Sequence, residues 1–142
     1  MKNSSMLTKV LIWVMILVLL SAVGLFIYLK LMNTDKSNTP SIDEVLEESV
    51  DVPQITTNLA SDDYIRISFK IQTDSKKAKT ELEKRDFQVK NIIIQELSEK
   101  KPDDLKGKQG QVNLETELKN KINELMQDGK IEKVYVTESL LQ

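Results

Sequence analysis

Between Lys9 and Lys30 the chain reads VLIWVMILVLLSAVGLFIYL, Val10 to Leu29, twenty residues without a charge. At a rise of ~1.5 Å per residue this run makes roughly 30 Å of helix, the thickness of a bilayer's hydrocarbon core. A cleavable signal peptide would carry an apolar stretch of only about 7–15 residues before a small-residue cleavage site. Ser21, Ala22 and Gly24 offer a faint site of that kind, but Leu25 to Leu29 continue the apolar run past it. A lipoprotein signal needs a cysteine, and the sequence has none. A buried helix of a globular core needs no uninterrupted run of this length. The segment therefore reads as an uncleaved single-pass transmembrane helix, residues 10–29, behind a short tail, residues 1–9. Trp13 and Tyr28 suit the aromatic belts at the two membrane interfaces, with Lys9 and Lys30 as charged anchors beside them. Ser21, Ala22 and Gly24 make the helix slim at one level, either as a packing patch for a partner helix or as the small residues common in such spans.

The flanks set an orientation. Lys2, Lys9 and the amino terminus precede the span with no acid among them, whereas Lys30 and Lys36 follow it with Asp35 between. The positive-inside bias points the amino terminus into the cytoplasm and the remainder of the chain outward. All 22 acids and 17 of the 20 basic residues lie beyond Lys30, so residues 31–142 carry a net charge of −5. Nucleic acid and anionic headgroups both select a basic surface, so neither is expected as a ligand. The chain has no histidine and no cysteine, which excludes a Ser-His or Cys-His nucleophile pair and the usual zinc ligands. Its four glycines form no phosphate-binding loop. No cofactor, metal or small-molecule substrate is expected. Asp62-Asp63 and Asp103-Asp104 are the paired aspartates that an enzyme could use, and both sit where aspartate favours turns.

Beyond the span, residues 30–53 read as a polar, acidic linker, from Asn33 to Pro40 rich in turn formers. Within it Ser41 and Glu44 have the spacing of a capping box. Ile42, Val45, Leu46, Ser49 and Val50 follow on one helical stripe, which either docks on a partner or belongs to a solvated spacer. As a ~24-residue flexible chain the linker would reach roughly 25–30 Å. Residues 54–142 read as the folded domain. Ile55 to Leu59 is strand-like, and Ala60 to Asp63 supplies a turn. From Tyr64 the alternation of Ile65, Ile67, Phe69 and Ile71 with Arg66, Ser68, Lys70 and Gln72 predicts a strand with one buried and one wet face, paired with the first in a hairpin. Ala78, Leu82, Val89, Ile92, Ile93 and Leu97 then predict a helix that Pro102 stops, with Phe87 out of phase. Residues 103–110 read as a loop. Leu114, Leu118, Ile122, Leu125 and Met126 predict a second helix, with Gly129 as its C′ residue. Val134 to Val136, apolar on both faces, predict a closing central strand. The order β-β-α-α-β is an α+β domain of about ninety residues with its helices on one sheet face, a size that folds alone. Arg66 and Lys70 on the wet strand face, with Lys84 and Arg85 on the helix, are the candidate interaction residues.

This arrangement resembles the FliL family of bacterial flagellar basal-body proteins. The landmarks are Thr57-Asn58-Leu59-Ala60, Tyr64-Ile65-Arg66-Ile67-Ser68, Leu82-Glu83-Lys84-Arg85 and Ile92 to Ser98. Asp104-Leu105 with Gly107 and Gly110 continues the series, which closes on Ile122-Asn123-Glu124-Leu125, Gly129-Lys130-Ile131 and Val134-Tyr135-Val136-Thr137. Val136-Thr137 stands where the family often has an aromatic residue, and the linker matches nothing in particular. The resemblance implies a stomatin-like domain without enzymatic activity, placed outside the inner membrane at the flagellar basal body. It further implies self-association into a ring around stator proteins of the MotA/MotB type, supporting stator activity, flagellar rotation and motility. A membrane-tethered scaffold or assembly adaptor unrelated to motility is the alternative that the residues alone leave open.

Overall fold

The computed structural model describes residues 4–32 and 39–142, with side chains for 6–29 and 39–142. The chain divides between residues 39 and 40 into two units. The first contains one helix, α1, Ser4–Met32, of which Met6–Leu29 is long and apolar enough to cross a membrane. It extends the sequence reading of 10–29 by more than a turn toward the amino terminus. Every described α1 side chain is exposed. A helix satisfies its own backbone groups, as an apolar solvent demands. Ser21 follows the same rule, donating its hydroxyl to the Val18 carbonyl at 2.8 Å.

The second unit begins with α2, Ile42–Glu47, and the expected capping box is present. Glu44 N–H donates to Ser41 Oγ at 3.2 Å, and Ser41 N–H donates to Glu44 Oε2 at 2.8 Å. This helix neither floats nor waits for a partner, because it docks on its own domain. Lys76 pairs with Glu47 at 2.7 Å, and Thr73 Oγ1 donates to the Glu48 carbonyl at 2.7 Å. Lys79 Nζ donates to the Glu47 carbonyl at 3.0 Å. Ile42 and Leu46 stay exposed on the far side.

Strand β1, Ser49–Asn58, pairs antiparallel with β2, Tyr64–Thr73, as the expected hairpin. The linker was expected to run to Pro53, yet Pro53 lies inside β1. The register shifts between Val52 and Ile55, and a proline without an N–H is tolerated at such a bulge on an edge strand. In β2 the alternation holds as far as Ile71, with Ile65, Ile67, Phe69 and Ile71 buried and Arg66 exposed, while Gln72, expected on the wet face, is buried. Strand β3, Ile131–Leu141, pairs only with β2, giving the order β1-β2-β3. Thus β2 is central, and β3, expected in the centre, is an edge. Its apolar run does not fill two buried faces, since Val136 turns to the core while Tyr135 lies on the outer face.

The helix expected after Ser75 is two. α3, Lys76–Lys84, ends at Arg85, and α4 runs Asp86–Glu99. The break resets the helical phase, so Val89, Ile93 and Leu97 stay in the core and Phe87 is left 71% exposed. A 3₁₀ turn, Pro102–Leu105, leads to α5, Gly107–Asn123, which absorbs four residues of the expected loop. A Cβ on Gly110 would lie 2.6 Å from the Asp104 carbonyl oxygen, so α5 rests on that turn only with a glycine there. Leu114, Leu118 and Ile122 are buried as expected. Gly129 is not the C′ residue, since α5 ends at Asn123. It turns the chain into β3 at φ +83°, where a Cβ would meet Asp74 Oδ1 at 2.4 Å. The three long helices cover one sheet face around Phe69, Ile71, Leu82, Ile93, Leu118 and Ile131, a single α+β core as the sequence indicated.

Candidate interaction surfaces

The outer sheet face carries two of the expected interaction residues. Arg66 is exposed, and its side chain has no hydrogen bond or ion pair among the described residues. Lys70, half-buried, pairs across strands with Asp51 at 2.7 Å. Beyond Lys70, Tyr135 donates its hydroxyl to Gln72 Oε1 at 3.0 Å, and the Lys133 ammonium lies 4.8 Å from the Tyr135 ring centre.

Lys84 and Arg85 lie on the opposite, helical side, so the four residues form two surfaces rather than one. They border a cleft of about 530 Å³ with Lys77, Thr80, Glu81 and Gln88. Arg85 is committed there internally. Its guanidinium donates to Glu81 Oε1 at 2.7 Å and to Gln88 Oε1 at 3.0 Å. Glu81 also accepts from the Gln127 N–H at 3.1 Å and the Asp128 N–H at 2.7 Å. The Asp128 N–H, then Arg85, hold the Glu81 carboxyl below the ordinary carboxylate range. Glu81 and Arg85 thus fasten the turn before β3 to α3, and Lys84 remains the outward cation.

Sequence reasoning missed several such fasteners. Asn123 bonds Ile131 through both amide atoms, and Asp74 Oδ1 accepts from the Lys130 N–H. Glu96, 7% exposed, pairs with Lys121 between α4 and α5. Their signal was faint, because a polar residue in an amphipathic helix is counted toward the solvated face. Phe87 was legible as out of phase, and Ile94 joins it on the exposed side of α4. Between β1 and the α3–α4 junction lies an apolar groove of about 150 Å³, lined by Val50, Val52, Leu82 and Val89.

The paired acids serve turns. Asp63 accepts from Ser61 Oγ at 2.6 Å, Asp104 accepts from the Lys101 N–H at 2.8 Å, and Asp103 pairs with Lys106 at 2.6 Å. Among the described residues no group of three or more Asp or Glu could hold a metal ion. On α1, Lys9, Trp13 and Tyr28 are exposed, while the Lys30 side chain and residues 33–38 lie outside the described residues. Ser21, Gly24 and Tyr28, at i, i+3 and i+7, share a face with Ala22 beside it. A Cβ on Gly24 would meet nothing within 4 Å, so the chain's own packing does not require a glycine there.

The chain thus joins one apolar helix, long enough to cross a membrane, to one small three-stranded α+β domain. The profile of the flagellar basal body-associated protein FliL family matches residues 49–142, beginning at the first residue of β1, and the chain belongs to that family. It is 53% identical to the flagellar protein FliL of Bacillus subtilis (strain 168) over 102 residues, 72% of this chain and 73% of that one. It is 27% identical to the flagellar protein FliL of Aquifex aeolicus (strain VF5) over 93 residues, 63% of this chain and 58% of that one. A flagellar role follows.

Proposed function

We propose that this chain is a non-enzymatic, single-pass protein of the inner membrane at the flagellar basal body. Residues 1–9 lie in the cytoplasm, residues 10–29 of α1 span, and the domain from Pro40 onward stands outside. There it associates with flagellar stator proteins, forms a ring with other copies, and supports stator activity and rotation. The observation that carries this reading is the family match across residues 49–142, from β1 to the end of β3, joined to a helix of membrane-spanning length. The outward orientation rests on Lys2 and Lys9 before the span. The unlinked Arg66 and Lys84 are the domain residues offered for stator contact, with Lys70 and Arg85 as their tethered neighbours.

Deletion tests the core of the reading. A strain lacking the chain should swim or swarm poorly and recruit fewer active stators, counted as fluorescent foci or torque steps. Normal motility with normal stator occupancy would overturn it. The span has its own test. Gly24→Leu should impair rotation while leaving membrane insertion intact, because among the described residues nothing lies within 4 Å of that space. Full motility with a scrambled apolar helix of equal length would reduce α1 to an anchor.

A further inference from the structure

The sheet has two free edges, and they are built differently. The β1 edge carries Pro53 and the charged Asp51 beside its bulge, features that discourage strand addition, whereas β3 is bulged at Thr137 and its stretch from Glu138 to Leu141 runs in unbroken register with β2. The far half of β3, Thr137 to Leu141, has no proline and one charge, and all five residues are exposed. Tyr64 and Gln142 exchange both backbone hydrogen bonds at 2.8 Å, which fixes the phase of the ladder. By alternation, Leu140 and Glu138 bond toward β2, and the backbone groups of Leu141 and Ser139 point to the open edge. One residue pair back, the Val136 N–H on that edge is already occupied, donating to Glu115 Oε1 at 2.9 Å. Beyond it, no described segment lies along the strand.

We infer that this open half of β3 pairs with the same strand of a second copy, antiparallel and centred on Ser139. That register makes the edge self-complementary. Ser139 faces Ser139 of the second copy, and Leu140 faces its Glu138, so no like charges oppose each other. Arg66 lies in register with Leu140, and Ser68 with Glu138, on the outer face. Reading across the joined sheet, Arg66, Leu140 and the second copy's Glu138 therefore form one row. Arg66 and Glu138 are two strand spacings apart, roughly 9–10 Å, within the combined reach of both side chains. Neither has an ion-pair or hydrogen-bond partner among the described residues of its own chain. Within one chain Arg66 and Glu138 are diagonal neighbours on this face, and the two-fold operation adds the second copy's residue to each, twice per pair.

Such an interface closes at two copies, so a larger ring would draw on another surface. The absence of cysteine from the chain makes the register directly readable. In native membranes, Ser139→Cys should form a disulfide-linked dimer on mild oxidation, since hydrogen-bonded partners sit about 5.5 Å apart at Cα. Glu138→Cys and Leu140→Cys should link weakly alone, yet form a heterodimer when co-expressed with different tags. Thr56→Cys, on the opposite edge, should stay monomeric. Arg66→Glu should lower Ser139→Cys linkage about two- to five-fold, the range of an exposed ion pair, and Glu138→Arg in the same chain should restore it. All these positions are exposed, and retained membrane insertion with an unchanged melting temperature confirms folding. Absent linkage at Ser139, equal linkage at Thr56, or capture of a different protein at Ser139 would overturn the inference. None of these readouts depends on motility, so the pairing and the stator reading stand or fall separately.

Discussion

The two halves of β3 share a strand and a partner, yet they are held in different ways. Ile131 to Val136 is fixed from several sides. Ile131 and Val134 are buried, Asn123 bonds both backbone groups of Ile131, and Glu115 holds the Val136 N–H. Glu81 and Asp74 hold the turn that delivers the strand. Thr137 to Leu141 has only its ladder to β2. The difference teaches that burial alone does not place this strand. Polar side chains from α3, α5 and the β2–α3 turn set where it starts, and past Val136 that fastening ends.

Substitutions can break this contrast, with stability read by thermal or urea unfolding of the full chain in detergent. Ile131→Ala should cost most, about 2–5 kcal/mol, because it opens a cavity in a fully buried site. Asn123→Ala comes next, at about 1–3 kcal/mol, since it strands the Ile131 N–H near the core. Glu81→Gln probes the turn through pH. The Glu81 carboxyl is held below its ordinary value of 4.5, so its contribution is present above that pH and is lost as pH falls through the lower folded value. The wild-type chain should therefore lose stability below pH 4.5 more steeply than Glu81→Gln. Equal slopes would show that the turn does not depend on this charge. Leu140→Ala, in the open half, should change stability by no more than about 0.5 kcal/mol. A larger loss there would mean that the two halves form one cooperative unit and would dissolve the contrast.

The sequence displayed what is periodic and hid what is pairwise. The span, the hairpin and the buried faces of β2 and α5 all follow from spacing, since a run of apolar residues at one period has one sensible burial. The split at Arg85 left a trace, because Phe87 could not join the stripe of an unbroken helix. Pro53 misled, since a proline beside Asp51 resembles a linker end as closely as a bulge on an edge strand. The fate of α2 was illegible for another reason. Its docking depends on Lys76, Lys79 and Thr73 meeting Glu47 and Glu48, residues some thirty positions apart with no local pattern to join them. Of the candidate interaction residues, Arg66 and Lys84 point outward, whereas Arg85 and Lys70 have Glu81 and Asp51 beside them, neighbours that only the folded chain brings together.

The docking of α2 also bears on force. Tension carried along the chain from α1 enters the second unit at its amino end, next to an edge strand whose ladder would peel one bond at a time. Before it reaches Ser49, that tension must first detach α2 from Lys76, Lys79 and Thr73. The short helix is a clamp in series with the sheet, and it lets β1 keep its register while the chain ahead of it is pulled.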